Sequence, residues 1–147
     1  MLSETHGGFL ISQIKQVSGR IFEKLLSQAG VDAFNGPQGR ILYVLWQKDG
    51  VPIASLSKQT GLAKTSLTSM LDRMEQGGLI RRVFDKADRR QTRITLTEQA
   101  HMLQGAYDAI SRQMSQRYYA GFADDEIITF ENTLRRVLKN LEESEKL

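Results

Sequence analysis

The sequence predicts a mainly α-helical protein of the α+β class, with one β-hairpin set among six helices. Apolar residues recur at spacings of three and four in six stretches, which is the period of an α-helix. Between the fourth and fifth stretches lie two short segments rich in β-branched residues, which is typical of paired strands. The length of 147 residues suits one domain with a good core and is too short for two of usual size.

The first two helices are predicted on either side of a glycine–proline break. The first runs from about residue 9 to residue 29 and ends at Gly30, a suitable helix stop. The second begins at residues 35–37, where Pro37 fits the first helical turn, and it ends at residues 49–50. Its apolar residues cover more than one side, so we expect it in the middle of the domain. The next three residues suit only a connector or a minimal strand.

The third and fourth helices form a pair around Gly61. Residues 53–62 have the spacing of a short helix, and residues 64–74 restart a helix with small polar residues on its outer face. A pair of this kind places its second helix in the major groove of DNA. We expect four apolar side chains to face inward: Leu67, Met70, Leu71 and Met74. The residues left available to DNA are Lys64, Thr65, Ser66, Thr68, Ser69 and Arg73. Hydroxyl groups can donate to phosphates or bases, and arginine can bind a phosphate or both acceptors of a guanine.

The hairpin consists of two predicted strands, residues 79–84 and 91–96, joined by a polar loop. Residues 79–97 contain six cations and two anions, a net charge of +4, whereas the rest of the chain sums to −1. One basic element on a nearly neutral body favours a specific contact with a polyanion at that element. We expect Phe84, the aromatic residue of the hairpin, to pack inward.

The last two helices are predicted after Thr97 and after Gly121. Thr97 can cap a long fifth helix, and Asp124 can cap the sixth. With the first helix, these two present three long apolar stripes, which the small centre of the chain cannot cover. A second copy of the chain is the expected cover, because most soluble oligomers are symmetric homo-oligomers and dimers are the commonest. The alternative is that the terminal helices pack on each other within one chain.

Composition excludes several classes of protein. The chain has no cysteine, which excludes disulfides, thiolate nucleophiles, thiol redox sensing and thiolate metal sites. Two histidines, His6 and His101, are far apart in sequence, so we expect no metal. No phosphate-cradling glycine loop and no nucleophile with a plausible base is present, so we expect neither enzymatic activity nor a cofactor. No apolar run reaches the roughly 20 residues that cross a bilayer, and the N-terminus lacks the features of a secretory signal. We therefore expect a cytoplasmic protein.

The helix pair and the hairpin carry three motifs. Residues 71–81 read LDRMEQGGLIR, residues 88–90 read DRR, and residues 95–98 read TLTE. In these motifs the chain resembles the winged helix-turn-helix of the MarR family of bacterial transcriptional regulators. The resemblance covers essentially the whole chain, since length and helix order also fit. Two departures are Gly78, which makes a double glycine, and Ala100, which replaces a glycine; neither lies at a DNA-facing position.

The resemblance implies a single MarR-type domain over residues 1–147. Residues 37–97 would form the winged helix-turn-helix that binds DNA, and residues 1–34 and 98–147 would form dimerisation helices. The protein would act as a homodimer on a palindromic operator in double-stranded DNA. Its two recognition helices, which are the predicted helix of residues 64–74 in each copy, would lie about 34–36 Å apart, one helical turn of DNA. We expect a repressor that is released from DNA by a small aromatic or anionic effector.

The DRR motif lies in the loop of the predicted wing, which is the β-hairpin of residues 79–96, and it adds three residues to the DNA-binding set. Arg90 is the best candidate to enter the minor groove, because a narrow groove concentrates negative potential. Asp88 is expected to hold Arg89 or Arg90 in position by a charge-assisted hydrogen bond, as members of the family often do. Four other cations are left open between contact with the DNA backbone and plain solvation: Arg81, Arg82, Lys86 and Arg93.

Two alternatives concern the partners. The winged-helix module could bind protein or RNA in place of operator DNA, although single-stranded RNA is usually recognised by exposed aromatic residues and the wing has only Phe84. An effector could also bind in a crevice between the helices, but the side chains that would line it suit an ordinary core, and core is favoured. These side chains are Phe22, Tyr43, Trp46 and Met114. No ligand site is assigned.

Overall fold

The computed structural model describes residues 1–88 and 90–146, which contain seven helices and three short strands. The helices are α1 (Gly7–Gln28), α2 (Gly36–Gln47), α3 (Ile53–Thr60), α4 (Lys64–Gln76), α5 (Glu98–Met102), α6 (Gln104–Tyr118) and α7 (Asp124–Ser144). The strands are β1 (Val51–Pro52), β2 (Ile80–Phe84) and β3 (Thr92–Leu96). The predicted α+β class is confirmed. The chain divides into two units, Met1–Arg112 and Gln113–Leu147.

Local hydrogen bonds define the break between α1 and α2. Gly30 has a φ of 70°, and the Val31 N–H donates to the Leu26 carbonyl at 2.9 Å, which closes the end of α1 in a Schellman-type turn. Asn35 caps α2, since its side-chain oxygen accepts from the Gln38 N–H at 2.9 Å. The Gln38 side chain in turn accepts from the Asn35 N–H at 3.1 Å, which completes a capping box.

Helix α2 lies in the middle of the first unit, as predicted. Its residues Ile41, Leu42 and Leu45 are almost completely buried. Gly39 on the same helix allows close approach of aromatic rings, because a Cβ there would lie only 3.0 Å from Cε2 of Tyr107. Four rings surround Tyr107 with centroid separations of 5.1 to 6.1 Å, those of Phe22, Phe34, Tyr43 and Trp46. Burial raises the pKa of the Tyr107 hydroxyl.

Helices α3 and α4 meet at a turn that starts at Gly61, whose φ is 75°. The Ser57 hydroxyl donates to the Leu62 carbonyl at 2.7 Å and so joins α3 to the turn. On α4, Leu67, Leu71 and Met74 are buried, which confirms their predicted inward position, whereas Met70 is only partly buried. The burial of one side of α4 turns the opposite side of the helix to solvent.

The three strands form an antiparallel sheet in the order β1-β3-β2. The predicted hairpin is confirmed, with Ile80 opposite Leu96 and Phe84 opposite Thr92. Val51 of β1 pairs with Ile94, the fully buried residue at the centre of β3.

The inward position predicted for Phe84 is wrong, since this side chain is 74% exposed. Strand alternation places Phe84 on the same side of β2 as the buried Ile80. However, Phe84 pairs with Thr92 at the far end of the hairpin, beyond the residues of β3 that pair with β1. The cover that buries Ile80 does not extend to that end of the strand.

Two helix boundaries also differ from the prediction. Thr97 does cap a helix, accepting from the Ala100 N–H at 3.2 Å, but this helix ends at Met102, so the long fifth helix is divided into α5 and α6. At the division the Leu103 N–H donates to the Ala100 carbonyl, three residues back. Asp124 is the first residue of α7 and not its cap. The cap position is Ala123, whose N–H donates to Glu126 Oε1 at 2.9 Å.

In the second unit, Tyr119 joins the start of the unit to α7. Its hydroxyl donates to Glu131 Oε2 at 2.7 Å, and its ring lies 6.2 Å from that of Phe130. Desolvation, and then the hydrogen bond to the Glu131 carboxylate, raise the pKa of Tyr119 to about 12. Across residues 1–88 and 90–146, no helix has the length and apolar character needed to span a membrane.

The double glycine after α4 supplies a test of the turn into β2. Gly78 has a φ of 77°, whereas Gly77 has right-handed helical backbone angles and room for a Cβ. We expect Gly78→Ala to lower the free energy of unfolding by about 1–2 kcal/mol, because an L-residue is strained in the left-handed region. Gly77→Ala is the matched control and should not destabilise the protein. Urea unfolding at equal protein concentration measures both; an equal effect of the two variants would contradict the assignment of the strain to Gly78.

Candidate nucleic-acid interface

Helix α4 exposes all six of the residues that the sequence predicted for DNA contact, together with Asp72, Glu75 and Gln76. The predicted six are Lys64, Thr65, Ser66, Thr68, Ser69 and Arg73. The same helix buries Leu67, Leu71 and Met74 on its other side, so packing of the inner face orients the outer one. The structure thus brings all six predicted residues of this helix together on one solvent-facing surface.

The hydroxyl groups on this surface differ in their hydrogen bonds. The Thr68 hydroxyl donates to the Lys64 carbonyl at 2.8 Å within the helix. Thr68 therefore presents to solvent its methyl group and a hydroxyl oxygen that can still accept a hydrogen bond. At the start of the helix, the cap residue Ala63 has no side chain that could accept from the first N–H groups. These N–H groups and the side chain of Lys64 together make the start of α4 suitable for an anionic oxygen.

The loop between β2 and β3 is organised around Asp85. Its Oδ1 accepts from the Ala87 N–H at 2.8 Å and from the Asp88 N–H at 3.3 Å. Its Oδ2 accepts from Arg93 Nε at 2.9 Å. The hydrogen bond from Ala87, followed by that from Arg93, holds the pKa of Asp85 below its usual value. A carboxylate therefore shapes this loop, which lacks the Asn-Gly pair of a tight hairpin turn.

Asp88 and Arg90 lie together in the same loop. Asp88 Oδ1 accepts from the Arg90 N–H at 3.1 Å and from Arg90 Nε at 3.2 Å. The Arg90 side chain is nevertheless 92% exposed, so its two terminal nitrogens are open to solvent while Nε is held. Arg89, the third predicted residue of the wing, lies outside the described residues.

The sequence did not decide whether four cations contact DNA, and two of these four bind groups of the protein itself. Arg82 contacts Asp72 and Glu75 of α4, with nitrogen–oxygen distances of 2.8 and 2.7 Å. Arg93 donates from Nη1 to the Gly50 carbonyl at 2.8 Å, in addition to its bond with Asp85.

The other two open cations, Arg81 and Lys86, are exposed, and neither forms an ion pair with a residue in the described part of the chain. Among the described residues of the hairpin, the exposed cations are therefore Arg81, Lys86 and Arg90, whereas Arg82 and Arg93 are partly buried. Reasoning from sequence missed the internal role of Arg82. Asp72 and Glu75 are three residues apart, which places two carboxylates on one face of α4 beside the returning strand, and this spacing was the available signal. Within residues 1–88 and 90–146, no cluster of histidine, aspartate and glutamate side chains suits a metal ion.

Comparison with known proteins places this geometry in a family. The model of the MarR family matches residues 34–92, which run from the start of α2 through the wing to β3. The transcriptional regulator TtmR of Methylorubrum extorquens is 30% identical over 102 residues, which are 69% of this chain and about half (51%) of TtmR. The HTH-type transcriptional regulator YsmB of Bacillus subtilis is 30% identical over 105 residues, 71% of this chain and 72% of YsmB.

Solved structures share the fold. A mutant MarR from E. coli in complex with operator DNA has a TM-score of 0.79 at 24% identity, covering 89% of this chain and 92% of that one. AbfR bound to DNA has a TM-score of 0.69 at 28% identity, covering 90% of each chain. BpsR of Bordetella bronchiseptica, whose DNA binding is regulated by 6-hydroxynicotinic acid, has a TM-score of 0.79 at 20% identity, covering 90% and 98%.

TtmR and YsmB are both transcriptional regulators of the helix-turn-helix type. The alignment with YsmB spans most of both chains, and the family model covers the helix pair and the wing in which the exposed polar and basic residues are found. The chain belongs to the MarR family of transcriptional regulators.

Proposed function

We propose that this protein is a sequence-specific regulator that binds a palindromic operator in double-stranded DNA as a homodimer and represses transcription by covering a promoter. The observation that carries the proposal is the outer face of α4, where six polar and charged side chains are exposed on a helix whose inner face is buried. A rigid helix with this surface suits the major groove. A regulator of this kind would work in the cytoplasm.

In this proposal α4 reads the DNA sequence, and the wing supplies cations that bind the DNA. On α4 the hydroxyl side chains and Arg73 read base edges or bind phosphates, and Lys64 adds a cation. At the wing Arg90 enters the minor groove, with Asp88 holding its Nε at 3.2 Å and leaving its outer nitrogens for DNA. Arg89 is assigned to the wing contact from its place in the DRR motif alone. Residues 37–97 form the DNA-binding part of this proposal.

The homodimer is supported by apolar stripes that the single chain leaves exposed. On α1, Leu10, Ile14 and Val17 are each about half exposed, although they share one face of the helix. Helix α7 has no buried residue, and Leu138 and Leu141 are 57% and 61% exposed. Exposed apolar faces of this length are typical of protein interfaces. We therefore assign residues 1–34 and 98–147 to dimerisation with a second copy of the chain.

We further propose that a small aromatic or anionic effector releases the dimer from DNA. The regulation of BpsR by 6-hydroxynicotinic acid supports this idea by family likeness. An effector that binds one arrangement of the dimer more tightly would change the spacing of the two recognition helices. Loss of the DNA complex on addition of 6-hydroxynicotinic acid or a benzoic acid would support this step. A complex that withstands a panel of such acids at millimolar concentration would count against it.

A second candidate function follows from the exposed Phe84. An exposed aromatic ring beside basic residues can stack on the bases of single-stranded RNA. The ring of Phe84 is 74% exposed on a wing that also carries Arg81, Lys86 and Arg90 at its surface. Duplex DNA remains the proposed partner, because the polar face of α4 has the form required by the major groove and single strands have no such groove.

Selection from a pool of random duplexes tests the proposed partner. We expect the full-length protein to recover a palindromic duplex and to bind it in a gel shift more tightly than a scrambled duplex of the same composition. Binding should weaken as salt rises, because phosphate contacts release counterions. A single-stranded RNA of the selected sequence is the competitor. Failure to enrich any duplex, or preference for the RNA, would contradict the proposal.

Arg90→Ala tests the wing contact on the selected duplex. We expect about a tenfold loss of affinity, because the variant removes the exposed guanidinium from the minor groove. Arg112→Ala is the matched control, since it removes the same charge from an exposed position on α6 and should leave binding unchanged. Sedimentation should show that both variants keep the oligomeric state of the parent. An Arg90→Ala variant that binds as tightly as the parent would show that the wing is wrongly assigned.

Leu141→Glu tests the dimer interface on α7. The variant places a charge on the apolar stripe, where an unpaired carboxylate would be desolvated by the partner chain. We expect the dissociation constant of the dimer, measured by sedimentation equilibrium, to rise at least about tenfold. Asn140→Glu adds the same charge at the neighbouring exposed position and should have little effect. Equal dimerisation of the two variants, or a parent that is monomeric, would contradict the proposed interface.

A further inference from the structure

Arg82 in the middle of β2 turns back to α4 and joins the wing to the proposed recognition helix. Its Nη2 lies 2.8 Å from Asp72 Oδ1 and its Nη1 lies 2.7 Å from Glu75 Oε1. The backbone N–H of Arg82 also faces Glu75, with 3.4 Å between the nitrogen and Oε2. The side chain is 24% exposed, whereas Arg90 is 92% exposed. One planar guanidinium thus spans two carboxylates on one face of a helix.

The position of this contact matters more than its energy. Ion pairs that remain partly exposed contribute little to stability, so we expect the loss of Arg82 to lower the free energy of unfolding only slightly. Its partner Asp72 is, however, the residue next to Arg73, which lies on the outer face of α4. The strand that carries Arg82 continues to the loop that holds Asp88 and Arg90. A change in this contact would therefore alter the direction of the wing relative to the surface of α4.

A direct role of Arg82 in DNA binding fits the geometry less well. Both ends of its guanidinium are occupied by carboxylates, and contact with a phosphate would require the arginine to leave them. Asp72 and Glu75 would then be left unpaired on the helix that approaches DNA, where they would repel phosphates. The neighbouring Arg81 is exposed and is the cation of β2 that is available to a phosphate.

We propose that Arg82 is a positioning residue, which sets the wing relative to α4 so that the two reach their grooves of the same operator together, and which does not itself contact DNA. The proposal rests on the proposed DNA-binding function. Asp72 and Glu75 take part in the same positioning contact, because they accept the hydrogen bonds from Arg82. An interaction that only positions contributes to specific binding, where α4 and the wing must fit at once, and contributes little to binding of arbitrary duplexes.

The test measures affinity of the full-length protein for two duplexes at several salt concentrations. One is the palindromic duplex recovered by selection and the other is its scrambled counterpart. For Arg82→Ala we expect about a tenfold loss on the selected duplex, with the scrambled duplex bound as before. The slope of log affinity against log salt should stay that of the parent, because no phosphate contact is lost. Arg81→Ala, the matched control, should weaken both duplexes alike and reduce the slope by about 1.

Removal of the acids separates positioning from simple neutralisation of charge. If Arg82 only screened Asp72 and Glu75 from the phosphates, the Asp72→Asn and Glu75→Gln double variant would bind DNA more tightly than the parent. Positioning predicts the opposite sign, a loss on the selected duplex of the same order as that of Arg82→Ala. Adding both acid substitutions to Arg82→Ala should not restore binding. Arg82→Lys should bind more weakly than the parent, because an ammonium group cannot span both carboxylates in one plane.

The outcomes are distinct. Parent-like binding by Arg82→Ala, a salt slope reduced by about 1, or tighter binding by the double acid variant would each overturn the positioning role. If circular dichroism shows that Arg82→Ala is unfolded, the double acid variant, which keeps the arginine, decides the question. Failure of the parent itself to prefer any duplex would instead overturn the proposed function.

Discussion

The contact of Arg82 with two carboxylates of α4 is the interaction on which the proposed reading surface depends. The burial of Leu67, Leu71 and Met74 determines which side of α4 faces out, but it does not determine the direction of the wing. Between the helix and the loop that bears Arg90, the chain passes through two glycines, Leu79 and the five residues of β2. The guanidinium that spans Asp72 and Glu75, at 2.8 and 2.7 Å, adds a side-chain connection across that path.

A second arginine makes internal contacts near the loop end of the hairpin. Arg93 contacts the Asp85 carboxylate and the Gly50 carbonyl, so it joins the loop after β2 to the turn before β1. Two of the six cations in residues 79–97, Arg82 and Arg93, are therefore paired with carboxylates of the protein itself. The charge excess of this segment is thus partly structural, and among its described residues Arg81, Lys86 and Arg90 remain exposed. Their positive charge suits contact with a polyanion at this element of the protein.

Much of the fold follows from patterns that lie within single elements. The spacing of Leu67, Leu71 and Met74 correctly predicts the buried face of α4, and the cap at Thr97 follows from local hydrogen bonding. The failures concern features that depend on neighbours distant in sequence. Alternation along β2 predicts that Phe84 shares a side with Ile80, yet only one end of that side has cover. The partners of Arg82 and Arg93 likewise depend on how strand, helix and turn come together, which composition does not reveal.

A double-mutant cycle between Arg82 and Arg90 tests most directly whether the wing acts through its connection to α4. The measured quantity is the affinity of the full-length protein for the selected duplex, for the parent, each alanine variant and the double variant. If Arg82 serves to place Arg90, the double variant should bind about as well as the weaker single variant, because the second loss removes nothing further. Fully additive losses of binding free energy would show that the two arginines act independently, which would contradict the positioning role.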